Sequence, residues 1–392
     1  MDRSIRPFLT LKKGISTLNL ATKGQSHTLF VRQGSYSETL NGLPSGVSWS
    51  SPITISGYAN ETVIINPSGT CEIINFVASQ QYIIFKNMIL DGTNLFKSLD
   101  SGCYNISLRG NYIRFESLEV KNSPWNGIIG SGYNHEFINL KVHHNGYWAT
   151  QAGYPPGNNG VYLTTNNSLI DGGEYYENSC FGVRFFDSSS TTSANNNIVR
   201  NAKIHHNGRG IAFDGTALCG SGGGGIVLGD TNNAAINNIV FNNYWGISTS
   251  AGGGRKVTAP LIYNNTLYAN SYGLHVDPDA VNAQVINNIF YKTNYNANSG
   301  TGTVFSHNLC LPQTTFCTLT AEPNFKDAAN LDFHLLPGSP ALDKGMTLTQ
   351  VPTDRDGTLR PQGQAYDIGA HEFISIPAAT NKILAPKNLK IK

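Results

Sequence analysis

From about residue 82 onward one pattern recurs along the chain: an apolar position, two variable positions, an asparagine, a short gap, a glycine, then an apolar run. It appears as LEVKNSPWNGII, KVHHNG followed by NNGVYL, EYYENSCFGVRF, KIHHNGRGIAF, IVFNNYWGIS and TLYANSYGLHV. The markers Asn122, Asn145, Asn178, Asn207, Asn243 and Asn270 are separated by 23, 33, 29, 36 and 27 residues. Short apolar runs bounded by Asn and Gly read as strands and turns. Their uneven spacing suits stacked coils with loops of variable length between strands. A propeller blade needs about 40–50 residues in four antiparallel strands, and a sandwich wants Asn-Gly hairpins between alternating strands. The pattern therefore predicts an all-β chain, a right-handed single-stranded parallel β-helix. In such a solenoid the asparagines at one turn stack as a hydrogen-bonded ladder.

Alignment of the coils on their marker Asn predicts which side chains face out. Three positions earlier stand Val142, Tyr175, Ile204, Val240 and Leu267, an apolar column that should point into the core. Strand alternation then turns the flanking positions outward. On three successive coils these read Lys141 and His143, Glu174 and Tyr176, Lys203 and His205. His144, Glu177 and His206 follow at the turn. The coil after this block offers Ile239, Phe241 and Asn242, and the coil before it Leu118, Val120 and Lys121. The ionisable grid is therefore local, and not required by coil geometry. A slip of one residue would turn the His–Tyr–His column inward.

Composition agrees with many turns and few helices. Of 392 residues, 41 are Gly and only 13% are charged, with a net charge of +2. No basic run points to nucleic acid, and no apolar stretch is long enough for a membrane span. The six cysteines form no CxxC pair, which argues against a zinc–thiolate site. Their even number suits three disulfides in an exported protein, with Cys310 and Cys317 the most local pair. The stretch MDRSIRPFLT carries no secretory signal, so export implies a signal that precedes this sequence.

The two ends of the chain add a resemblance. PFLTLKKGISTL, HTLFVRQGSYSETL and SPITISGY resemble the opening segment of secreted β-helix proteins related to chondroitinase B and alginate lyases. DFHLLPGSPALDKG and TDRDGTLRPQGQAYDIGAHEF resemble the closing segment of many bacterial exported β-helix proteins. With the Asn/Gly coils, this places the chain close to the pectate-lyase-like superfamily over residues 7–373. The resemblance implies a β-helix domain over 1–373, with a cap to about 60, coils over 61–310, and a closing segment over 311–373. Residues 374–392 read as a tail or linker. It also implies a secreted, periplasmic or cell-surface protein, monomeric, acting on a polysaccharide.

Related lyases cleave uronic-acid polymers by β-elimination. That chemistry needs a cation to neutralise the sugar carboxylate, a base for the adjacent proton and an acid for the leaving oxygen. Lys141, Lys203, Arg184 and Arg209 would supply positive charge. His143, His205 and Tyr176 would serve as base or acid. Glu174, Glu177, His144 and His206 would contact substrate, and Tyr147, Trp148 and Tyr154 of the loop GYWATQAGYPPGNN would stack on sugar rings. The bland account is a cross-strand charge ladder on an exposed sheet. Asp187 and Asp214, with Asp277 at a similar offset, suit either Ca²⁺, the one cofactor suggested, or a glycosidase carboxylate pair. TDRDG begins like a calcium loop but lacks the later Glu and reads as structural. The Gly-rich DGTALCGSGGGG reads as a lid or a disulfide-tethered turn. The expected activity is thus a polysaccharide lyase. A glycoside hydrolase, a C5-epimerase and a non-catalytic carbohydrate-binding β-helix are its alternatives.

Overall fold

The computed structural model describes residues 8–96, 102–146, 158–186, 193–208, 219, 223–250, 255–297 and 300–375. A short helix, α1 (Leu11–Leu18), opens the described chain, capped by Thr10, whose hydroxyl accepts from the Lys13 amide. Its Leu11 and Ile15 close one end of the apolar interior. Behind it the chain winds as an all-β, right-handed parallel β-helix, the hand that parallel crossovers take. Among the described residues two sheets have eleven strands and the third has nine. Among the described residues no helix is long and apolar enough to cross a membrane.

Five strands of one eleven-stranded sheet concern the site: β1 (Glu119–Lys121), β2 (Lys141–His143), β3 (Glu174–Tyr176), β4 (Lys203–His205) and β5 (Ile239–Phe241). Each pairs in parallel with the next, so Lys141, Glu174, Lys203 and Ile239 form one row and His143, Tyr176, His205 and Phe241 another. Between them Val120, Val142, Tyr175, Ile204, Val240 and Leu267 point inward and are fully buried. From Val142 to Leu267 the inward column is the one the apolar pattern predicts, whereas Val120, aligned as an outward position, joins it.

The asparagine ladder forms as expected, with one correction. Nδ2 of Asn145, Asn178, Asn207 and Asn243 donates to Oδ1 of the next coil's Asn at 2.9, 3.0, 3.1 and 3.1 Å. The ladder starts from Ser123, whose amide donates to Asn145 Oδ1, and not from Asn122. Asn122 occupies the preceding left-handed corner, at φ 57°. The residue-wise partners in the first strand pair are therefore Glu119 with Lys141 and Lys121 with His143. The alignment on Asn122 was one residue out on that coil, because the ladder position there holds a serine.

The closing segment folds back over the outer faces of the last coils. Its hairpin, β6 (Phe325–Asp327) and β7 (Asp332–Leu335), lays Phe333 on Phe241 and Tyr268. Ile368, Leu335 and Ala341 cover Ile289, Tyr291 and Leu309. A buried Arg360 ties the segment together. It donates to Glu372 Oε2 at 2.6 Å and to the carbonyls of Asp367 and Gly369. Asp354 of TDRDG is structural: its carboxylate accepts from the amides of Asp356, Thr358 and Glu372. Disulfides join Cys71 to Cys103, Cys180 to Cys219 and Cys310 to Cys317, the last being the local pair anticipated. The second tethers the Gly-rich segment at Cys219.

Candidate functional site

Strand alternation puts four aromatic rings in one outer column. His143 stacks on Tyr176 at 4.6 Å between centroids, Tyr176 on His205 at 5.1 Å, and His205 on Phe241 at 4.6 Å, all within 12° of parallel. The row beside it alternates charge: Glu119, Lys141, Glu174, Lys203. Glu119 extends the grid by one coil and was hidden by the Asn122 offset. Lys141 is exposed, with Nζ 5.7 Å from the centre of the Tyr176 ring. Its pKa is raised, first by a hydrogen bond with Tyr176 and then by charge.

Two relays cross this grid. In the first, His143 Nε2 lies 3.2 Å from Glu119 Oε1, His143 Nδ1 lies 2.7 Å from His144 Nδ1, and His144 Nε2 lies 2.8 Å from Glu177 Oε2. In the second, His205 Nε2 lies 3.0 Å from Glu174 Oε1 and His205 Nδ1 lies 2.7 Å from His206 Nδ1. His206 Nε2 faces the Asn242 amide nitrogen at 3.4 Å. Lysines lock the carboxylates: Lys121 Nζ reaches Glu119 at 2.8 Å and Lys203 Nζ reaches Glu174 at 2.9 Å. Burial is the largest influence on His143 and His205 and holds both below the usual histidine range, partly offset by their carboxylates. Glu119 and Glu174 lie below the usual carboxylate range, their hydrogen bonds and nearby cations outweighing the opposing effect of burial.

These contacts define hydrogen-bonding roles. Two carboxylates at the ends of the first relay each need an N–H donor, and the nitrogen–nitrogen contact needs a third. In the second, Nε2–H of His205 serves Glu174, Nδ1–H of His206 serves His205, and His206 Nε2 accepts from Asn242. That pair presents an accepting nitrogen at its outer end. The inner rings are sheltered, His143 being 7% exposed. The outer rings of His144 and His206 are open to solvent, which differs from the expectation that His143 and His205 themselves would face it.

The corner residues carry a second signal. His144, Glu177 and His206 adopt left-handed backbone, at φ 55°, 49° and 55°. Neighbouring coils place Asn122 and Asn242 there, at 57° and 52°. Asparagine tolerates this region, whereas other side chains add strain. The three coils that bear the grid depart from the residue the corner favours, as do two later coils with Ala269 at 50° and Lys292 at 53°.

Arg184 does not join the grid. It lies on the nine-stranded sheet, in the strand Phe181–Phe185, because the chain turns a corner after the ladder Asn. Its guanidinium packs 4.0 Å from the centre of Phe186 and beside Tyr162, and burial lowers its pKa. Asp277 caps a turn, its carboxylate accepting from the Asp279 amide. Arg209, Tyr147, Trp148, Tyr154, Asp187 and Asp214 lie outside the described residues. The described grid does not fit Ca²⁺, which takes about six to eight oxygens. Glu119 and Glu174 are already engaged by Lys and His and alternate with lysines.

Residues 126–310 match the family described as the right handed beta helix region. Comparison with curated proteins gives no match. Among solved structures, pectate lyase Pel9A is similar at 17% identity, over 91% of this chain and 90% of that one, with TM-score 0.67. ORF18 of Geobacillus virus E2 is similar at 16% identity, over 75% and 56%, with TM-score 0.54. The alginate lyase of Paenibacillus sp. str. FPU-7 is similar at 15% identity, over 75% and 95%, with TM-score 0.52. The likeness is one of fold: the chain is a right-handed parallel β-helix.

Proposed function

We propose that the chain is an exported, carbohydrate-active enzyme that cleaves an acidic, uronic-acid-containing polysaccharide by β-elimination. The observation that carries this is the pair of Glu–His–His relays flanking Tyr176 and Lys141 on one outer sheet face. Lys141 and Lys203 neutralise the sugar carboxylate. His206 Nε2, once substrate displaces its long contact with Asn242, takes the proton beside it, and His144 or Tyr176 delivers a proton to the leaving oxygen. His143 and His205 are positioning residues, each passing the influence of a carboxylate to the exposed ring. The fold of Pel9A and of the alginate lyase supports such a surface as a saccharide platform, and three disulfides suit export.

The test is incubation with alginate, pectate, chondroitin and glucuronan, reading the ultraviolet absorbance of unsaturated products. Silence across the panel overturns the proposal. The strict Glu–Lys–Glu–Lys alternation favours a second reading, a glycan-binding surface without turnover. Binding that survives His143→Ala with His205→Ala, without unsaturated product, would select it.

A further inference from the structure

Beside the grid, the closing segment builds a second cluster. His334 Nε2 and His371 Nδ1 lie 2.9 and 2.8 Å from the same oxygen, Asp356 Oδ2. The three donor atoms all lie within 4.8 Å of one another. They come from three separate places in the chain: the hairpin strand β7, the TDRDG turn and the stretch before Phe373. The other nitrogen of His334, Nδ1, contacts Asp332. His371 is buried, while His334 and Asp356 stand at the rim of a cavity of about 280 Å³. Lys203 and Arg355 line the same cavity, and Arg355 Nε is buried with no hydrogen-bond partner among the described residues.

We propose that His334, Asp356 and His371 bind a divalent transition-metal ion of the Zn²⁺ class. Two imidazoles and a carboxylate suit such an ion, whereas Ca²⁺ prefers an all-oxygen shell. Ligands at about 2.0–2.2 Å from zinc in tetrahedral array stand roughly 3.3 Å apart, so the two N···O contacts to Asp356 need to open by about 0.5 Å. Asp332 supplies the carboxylate that fixes a ligating histidine's tautomer and ring plane, an arrangement a metal site requires and a solvent-exposed histidine does not. Three protein ligands would leave a coordination position open, and all three residues line the cavity. There Lys203 and Arg355 favour an anionic fourth ligand, a carboxylate or hydroxide. The inference concerns metal binding alone and stands apart from the lyase proposal.

The experiment uses the full chain, stripped with chelator and dialysed against Zn²⁺ or Co²⁺. Retained metal is measured by mass spectrometry, and the cobalt form by its visible spectrum. About one ion per chain is expected, with the intense visible bands of low-coordinate cobalt and no displacement by equimolar Ca²⁺. Asp332→Asn should weaken binding by about 10–100-fold. His334→Gln, at a half-exposed rim position that folding tolerates, should abolish stoichiometric binding, and His143→Ala should leave it unchanged. Substoichiometric metal in the wild-type chain, or binding indifferent to His334→Gln, would overturn the proposal and leave a proton-bridged His–Asp–His cluster.

Discussion

His205 Nε2 lies 3.0 Å from Oε1 of Glu174, one coil earlier and one row across, while Lys203 holds the same oxygen at 2.9 Å. The carboxylate therefore sets which nitrogen of His205 carries the proton, and through the contact of His205 with His206 it sets the outer ring too. Glu174→Gln keeps the shape and removes the charge. Turnover on the acidic glycan should fall by about a hundredfold, the scale of one general acid or base, with KM little changed. Stability should change by less than about 1 kcal/mol, since the pair is partly exposed. Steady-state kinetics with urea unfolding separates the two effects, and a variant that loses KM alone would show Glu174 to be a binding residue.

A buried histidine away from the grid gives the protein an acid sensitivity. His135 is fully buried and its pKa is pushed down to about 4, chiefly by desolvation. Nδ1 accepts from the Ile113 amide, so a second proton would break that bond. The unfolded chain takes up a proton near 6.5, and the folded one does not until about 4. Protonation thus favours the unfolded state, and this part of the stability is present above pH 6.5 and lost as pH falls toward 4. A shift of this size corresponds to about 3 kcal/mol. The stability difference between wild type and His135→Gln should shrink by about that much between pH 7.5 and pH 4 in urea titrations. Parallel curves would remove the assignment.

Tyr175 is the one large polar side chain in the inward column, and its hydroxyl has no hydrogen-bond partner among the described residues. Desolvation raises its pKa far above the usual tyrosine range. Tyr175→Phe removes the orphan and keeps the ring. The variant should be neutral or more stable by about 1 kcal/mol, read as a shift in the midpoint of thermal unfolding. A clear loss of stability would mean that the hydroxyl finds a bound water or another partner.

These residues also show how much the sequence alone reveals. The inward column from Val142 to Leu267 was legible because alternation and the Asn/Gly turn fix the register together. Glu119 was not, because Ser123 replaces Asn in the ladder and the nearest Asn belongs to the corner. A one-residue offset then moves every side chain to the other face. Arg184 was misplaced for a different reason: the marker locates a corner, and the residues beyond it belong to another sheet. The burial of His143 and the cluster of His334, Asp356 and His371 depend on contacts between distant stretches, which no local pattern encodes.

The corners yield the sharpest separation of structure from function. His206 and Asn242 occupy equivalent left-handed positions on adjacent coils, at φ 55° and 52°. If coil geometry alone governed the choice, asparagine would serve better in both, because its short side chain lowers the cost of this backbone by about 1 kcal/mol. His206→Asn should therefore raise the thermal midpoint while lowering the yield of unsaturated product by about a hundredfold. Glu177→Asn should likewise stabilise the corner and remove the acceptor of His144 Nε2. A stabilised variant with full activity would remove His206 from the chemistry, and a destabilised one would show that its ring contacts with His205 and Phe241 outweigh the backbone strain. Gain of stability with loss of turnover is the outcome expected if these corners are kept strained for chemistry.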